Sequence, residues 1–143
     1  MSKKIILLAG PTASGKSKLA VNLAKKINGE VINADSMQIY KEFSILSSRP
    51  NTKDKGKIKH HLYGFISARN HYSSGEWLRA AKTKIKDCHE RKKIPILVGG
   101  TGLYFQSLIN GLVKIPNIPI KLRNKVRLLQ KKEGQKIFYQ KLL

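Results

Sequence analysis

The chain has a single cysteine, Cys88, among its 143 residues, so no intramolecular disulfide can form. One thiol fits a reducing compartment, and the expected location is the cytoplasm. Acidic side chains are scarce: 8 stand against 29 lysines and arginines. No apolar run approaches the roughly 20 residues needed to span a bilayer, so no membrane partner is expected. Met1-Ser2-Lys3-Lys4 and the apolar run behind it have the start of a secretion signal. That run stops after Ala9, and a glycine-rich loop stands where a cleavage site would be. No Cys or His spacing suits zinc. His60 and His61 are adjacent and point to opposite sides of an extended segment, which makes a poor metal pair. Internal repeats and low-complexity segments are lacking as well.

What is present is basic charge and an ordinary apolar content. The hydrophobic fraction of 41% excludes wholesale disorder, and the length suits one domain with a real core. The formal net charge is +21. It is unevenly spread: residues 51–93 and 112–143 each carry +8, whereas residues 94–111 hold no charged side chain. Such an excess favours a polyanionic partner, most simply nucleic acid. The plain alternative is a lysine-rich compositional habit.

Periodicity lays out the elements. Residues 4–9 read as a buried strand. Residues 16–27 read as a helix, with Leu19, Leu23 and Ile27 at i, i+4, i+8 and Ala20 and Ala24 beside them. Asn28-Gly29 ends it, with Gly29 expected as the left-handed cap. A second strand is expected over 30–34, a loop over 41–60, and a short extended segment within 60–66. Ser73 and Glu76 form a capping box that starts a helix to about Arg91, with Trp77, Ala81, Ile85 and Cys88 on one face. A third strand covers 94–98, then a Gly99-Gly100-Thr101-Gly102 loop and a helix over 103–110 closed by Gly111. Pro116 and Pro119 break the chain. A basic amphipathic helix over 120–132 shows Leu122, Val126 and Leu129 on its apolar face, and a last short helix runs to Leu143. Strands alternating with helices imply a mainly parallel sheet covered on both faces, with ligands beyond the carboxyl ends of the strands. Three loops fall there, at 10–17, 35–40 and 99–102.

The first of these loops carries the strongest motif. Gly10, Pro11, Thr12, Ala13, Ser14, Gly15, Lys16 and Ser17 spell G-x-x-x-x-G-K-S between a strand and a helix. Its backbone N–H groups and the helix N-terminus would cradle phosphates, Lys16 would reach the terminal ones, and the Ser17 hydroxyl would sit on Mg²⁺. Asp35, where the second strand ends, reads as a metal ligand or general base, or as a helix N-cap. Thr101 reads as a ligand contact in a glycine-rich loop, or as the N-cap of the next helix. Arg49 and Arg123 are phosphate or RNA contacts or solvated surface arginines. Tyr63, Phe65, Tyr72, Trp77, Tyr104 and Phe105 read mainly as core, with base stacking as the other use.

Four motifs in order resemble those of the tRNA dimethylallyltransferases (isopentenyl-tRNA transferases). They are the loop at 10–17, Asn33-Ala34-Asp35-Ser36-Met37-Gln38-Ile39-Tyr40, His60-His61-Leu62-Tyr63-Gly64, and Pro95 to Tyr104. The resemblance spans most of residues 4–125. It implies an α/β, P-loop NTPase-like three-layer fold with a mainly parallel sheet. It further implies a partial catalytic core over 1–111 and the beginning of a basic helical tRNA-binding region over 112–143. It also implies transfer of a dimethylallyl group from dimethylallyl diphosphate to N6 of the adenosine 3′ to the anticodon. The loop would then hold diphosphate as leaving group with Mg²⁺, and Asp35 would match the general base. Asp35, Ser36, Met37, Gln38, Thr101 and Arg123 match positions that touch tRNA, and a monomer is expected. Where the family often has Gly-Thr-Ala-Lys-Pro, this chain has Leu46-Ser47-Ser48-Arg49-Pro50. Family members are roughly twice as long, so an incomplete sheet is expected and activity of the 143 residues alone is open. The residues also admit a P-loop small-molecule kinase using ATP, a prenyltransferase acting on free adenine nucleotides, and an inactive RNA-binding fragment.

Overall fold

The computed structural model describes residues 4–113 and 118–141, which fall into two compact units, Met1–Leu112 and Val113–Leu143. Pro116 and the end of the last helix at Leu143 lie outside the described residues.

The first unit is built on a four-stranded sheet, parallel throughout, in the order β1-β4-β2-β3. The strands are β1 (Ile6–Ala9), β2 (Gly29–Asn33), β3 (His60–His61) and β4 (Ile94–Gly99). β2 and most of β4 are buried, as a parallel sheet covered by helices requires. Register puts Val31 beside Ile96 and Ile32 beside Leu97. Consecutive strand residues face opposite sides, so each pair feeds a different core. Val31, Ile96 and Val98 pack under α1 (Lys16–Ile27) through Ala20 and Ala24. Ile32 and Leu97 pack under α3 (Ser74–Glu90) through Trp77, Ala81 and Ile85. Tyr104 and Phe105 of α4 (Gly102–Asn110) join that second cluster, with the Tyr104 ring stacked on Trp77 at 4.2 Å.

Several local expectations are corrected. The left-handed cap of α1 is Asn28 (φ 56°, ψ 45°), and Gly29 already begins β2. The chain must turn straight into the sheet, and Asn tolerates the left-handed region well enough to do it. Small side chains carry the sheet face of α1. Ala20, Val21 and Ala24 are buried, whereas Leu19 of the expected apolar stripe is 55% exposed. The expected loop at 41–60 contains one helical turn, α2 (Thr52–Lys55), with its own capping box from Asn51 and Asp54. The capping box of Ser73 and Glu76 forms as expected.

β2 and β4 converge at their carboxyl ends. A Cβ added at Gly99 would overlap the Ala34 carbonyl and stand 2.7 Å from the Asp35 nitrogen. Glycine there lets Ala34 N–H bond Val98 O at 2.8 Å and Thr101 N–H bond Ala34 O at 3.3 Å. At the other end an ion network centred on the buried Glu30 ties three elements. The Glu30 carboxylate of β2 meets His61 Nε2 of β3 at 2.6 Å and Arg91 Nη2, just past α3, at 2.8 Å. Arg91 also bonds Asp87 at 2.8 Å. The Arg91 hydrogen bonds overcome the cost of burial and, with His61, hold the Glu30 carboxyl down at about 2.

The second unit consists of α5 (Ile120–Glu133) and α6 (Gln135–Gln140), joined at Gly134. Lys141 bridges Glu133 at 2.6 Å. Leu122, Val126 and Leu129 remain 51%, 42% and 40% exposed.

Two outcomes follow from these contacts. Gly99→Ala should lower unfolding free energy by at least about 2 kcal/mol, because backbone rather than a flexible side chain must move; denaturant titration reads the shift. The Glu30 carboxyl has a folded value below its ordinary 4.5. Its contribution is therefore complete above about pH 4.5 and is lost as pH falls towards 2. Glu30→Gln should flatten stability against pH across that window, by about 2 kcal/mol; partial exposure of Arg91 keeps the figure below what the full shift would give. Equal acid sensitivity in both proteins would exclude this account.

Candidate active site

The loop after β1 turns on two left-handed residues, Ala13 (φ 63°) and Gly15 (φ 81°). Alternation of this kind points successive N–H groups into one concavity, which suits an anion. Gly15 is the N-cap of α1, which has no side-chain cap and no acidic residue in its first turn. The first amides of the helix and its positive end are thus left for a ligand. Lys16 Nζ lies across the loop, donating to Pro11 O and, at 3.3 Å, to Ser14 Oγ. Ser14 Oγ donates to Pro11 O at 2.8 Å.

A cavity of about 640 Å³ opens in front of the loop. Thr12 to Ser17, Asp35 and Gln38 all line it, together with the ends of β4 at Val98 and Gly99. Gly10 and Pro11 sit at the root of the loop, where Gly10 N–H bonds Gly99 O at 3.3 Å. Lys18, Val21, Asn22 and Lys25 of α1 add a wall not singled out from the sequence. Its signal was the helical spacing of 18, 22 and 25, on the face beside the phosphate loop. Ser48, Pro50, Asp54 and Tyr63 close the far side.

Asp35 follows β2 but caps no helix, since turns and bends continue to Ile39. Its Oδ1 accepts Met37 N–H at 2.9 Å. Ser36 is held by Thr101, whose Oγ1 accepts Ser36 N–H at 2.9 Å and donates to Ser36 Oγ at 3.3 Å. Thr101 does stand at the N-cap of α4, but its hydroxyl makes no cap bond there. It joins the loops after β2 and β4 instead. Met37 is exposed, and Gln38 Nε2 donates to Ser47 O at 2.9 Å. Arg123 lies exposed in the first turn of α5, in the second unit.

Arg49 is used internally. Its guanidinium lies against Gly64 and donates to Tyr40 O at 2.9 Å and Lys41 O at 3.4 Å. That strap brings Ser48 and Pro50 to the cavity. Trp77, Tyr104 and Phe105 are core, Phe65 and Tyr72 meet edge to face at 5.4 Å, and Tyr63 faces the site. Burial, and then the Asp35 charge, raise the Tyr63 hydroxyl well above its ordinary value, so it stays protonated.

The Ser17 hydroxyl and the Asp35 carboxylate are hard oxygen donors on one cavity, a set that suits Mg²⁺ retaining several waters. A softer cluster was not foreseen. Glu30, His61 and Cys88 bring ligand atoms within 4.8 Å, from three elements far apart in sequence. Its carboxylate is already engaged by Arg91 and His61. Burial, reinforced by Glu30, pushes the Cys88 thiol up to about 11. The cluster therefore acts as a structural ion network.

The sequence profile of the IPP transferase family matches residues 38–143. The tRNA dimethylallyltransferase of Pelagibacter ubique is 66% identical over 140 residues, covering 98% of this chain and 45% of that protein. That of Hyphomonas neptunium is 46% identical over 129 residues, covering 90% and 41%. Among solved structures, the tRNA isopentenylpyrophosphate transferase of Bacillus halodurans superposes with a TM-score of 0.77 at 32% identity, over 99% of this chain and 47% of that one. A eukaryotic dimethylallyltransferase captured acting on tRNA gives 0.79 at 39% identity, over 87% and 32%. The chain spans about half the length of the curated relatives it matches. Its sheet and flanking helices form a partial P-loop NTPase-like fold, and the kinase reading loses its support. By profile, sequence and fold, the chain belongs to the IPP transferase family.

Proposed function

We propose that this chain carries the diphosphate cradle and general base of a tRNA dimethylallyltransferase, working in the cytoplasm. The supporting observation is the single cavity that collects the phosphate loop, Lys16, Ser17, Asp35 and Gln38. A loop of N–H donors at a helix N-terminus suits diphosphate, and a carboxylate on the same cavity suits a proton acceptor.

The chemistry balances within these groups. The N6 lone pair of adenosine attacks C1 of the dimethylallyl group. The C1–O bond breaks, its electron pair leaves with diphosphate, and Asp35 takes one N6 proton. Loop amides and the Lys16 ammonium stabilise the charge growing on the leaving oxygens. Mg²⁺, held through the Ser17 hydroxyl, would supply further stabilisation of that charge. Val21, Pro50, Tyr63 and Val98 exclude water from the allyl carbon, which hydrolysis would otherwise consume. The target base must leave its stack to enter. Asp35, Ser36, Met37, Gln38 and Thr101 would meet the acceptor at the cavity rim, while Arg123 and the other cations of α5 would meet tRNA phosphates.

The test is transfer itself. The 143-residue chain is incubated with Mg²⁺, dimethylallyl diphosphate and tRNA lacking the modification, beside the Pelagibacter relative as control; nucleosides are then weighed. Prenylated adenosine is the expected product. Transfer to AMP in preference to tRNA would overturn the tRNA reading. Two substitutions separate the roles. Lys16→Ala should weaken diphosphate binding at least about tenfold, as loss of a charge-assisted contact does; calorimetry reads it, and undiminished affinity would mean that the loop binds something else. Asp35→Asn should lower transfer by about 10²- to 10⁴-fold while leaving diphosphate affinity within about threefold, since base and cradle are separate groups.

A further inference from the structure

Asn33, the last residue of β2, is completely buried. A buried amide is costly unless its donors and acceptor are paired, and here all are. Oδ1 accepts Asp35 N–H at 3.0 Å. Nδ2 donates to Asp35 O at 2.9 Å and to Leu62 O at 3.0 Å. The Asn33 carbonyl accepts the Trp77 indole N–H at 2.9 Å, which anchors the residue to α3.

The targets of these bonds are specific. Two of the three side-chain bonds go to Asp35, one to each of its peptide groups. The backbone on both sides of the Asp35 Cα is therefore gripped by one rigid amide plane. The third bond holds Leu62, which sits in the left-handed region (φ 62°) just before Tyr63. Asp35 and Tyr63 both line the cavity, whereas Asn33 does not. A side chain wanted only for packing would be apolar at this position, like its buried neighbours Ile32 and Ala34.

We propose that Asn33 is a positioning residue for the reaction: its buried amide aims the Asp35 carboxylate and keeps it in register with the Tyr63 wall. This rests on the reading of Asp35 as general base. Ser17 and Lys16 are held by a different loop, so diphosphate binding does not depend on Asn33.

Three variants of the 143-residue chain test it: Asn33→Ala, Asn33→Asp and Asn33→Ser. Serine retains an oxygen that accepts from the N–H two residues on, as Ser turns do. Aspartate retains that acceptor but sets a second oxygen against the Asp35 and Leu62 carbonyls. Amide hydrogen exchange by NMR is read first, because it needs no turnover. In Asn33→Ala the Asp35 amide should exchange about tenfold faster relative to Ile32, the size expected for one lost hydrogen bond. Asn33→Ser should restore most of that protection. Unchanged Asp35 exchange in Asn33→Ala, or equal acceleration at Ile32, overturns the proposal.

Transfer kinetics then separate aim from stability. Asn33→Ala should lower kcat about tenfold or more, with KM for dimethylallyl diphosphate within about twofold, because the loss falls on the reacting geometry. Against an Asp35→Asn background the same substitution should cost nothing further. A full additional loss there would show that Asn33 acts only on stability and overturns the proposal. Full activity of Asp35→Asn alone would instead remove Asp35 as base, with the exchange result for Asn33 judged by itself.

Discussion

The close approach of β2 and β4 at their carboxyl ends is the constraint from which the site follows. Backbone meets backbone where Gly99 passes Ala34, at a separation that no side chain permits. Because β4 lies between β1 and β2, that approach also delivers the phosphate loop, through Gly10 N–H on Gly99 O. Three loops from distant parts of the chain thus share one short line of atoms. Thr101 on Ser36 and Asn33 on Asp35 then lock the middle loop from two sides. A loop tied in this way presents a carboxylate without the reorganisation that a free surface aspartate would need.

Charge is managed in two different ways. The acidic residues are few, yet one of them, Glu30, is spent inside, where Arg91 neutralises it and the hydrogen bonds of Arg91 and His61 bind β2, β3 and the end of α3 together. A network whose members are all satisfied tolerates burial, whereas removal of one partner would strand the others. The cations are mostly on the outside, and those of Lys18 and Lys25 reach the cavity wall. Positive potential at the mouth and an apolar patch of Val21, Val98 and Pro50 within it suit a ligand with an anionic head and a small hydrocarbon tail.

Much of this was legible along the chain. The phosphate loop, the helix behind it, the capping box at Ser73 and the buried face of Trp77, Ala81, Ile85 and Cys88 all rest on contacts within a few residues, which spacing reports directly. The less legible features depend on side-chain size or on distant partners. The α1 stripe was read as Leu19, Leu23 and Ile27 with Ala20 and Ala24 beside them; the alanines lie deepest on the sheet, Leu23 and Ile27 pack partly buried, and Leu19 turns outward. Arg49, read either as a phosphate or RNA contact or as a solvated surface arginine, is a strap on the backbone of Tyr40. The hydroxyl of Thr101, which an N-cap would have kept within its own helix, crosses to Ser36.

The sequence by itself determined the elements, the phosphate-binding motif, the alternating parallel architecture and the family, because each is written in short-range order or in motifs that stand in line. Tertiary structure decided which side chains face one another. It put Lys18, Asn22, Lys25 and Tyr63 on the same cavity as Asp35, gathered Glu30, His61 and Arg91 into one network, and set the Asn33 amide on Asp35 and Leu62. Those pairings span up to 61 residues in the chain. Only the packing of helices on a twisted sheet chooses them, since distance along the sequence carries no information about which atoms a folded core brings within 3 Å.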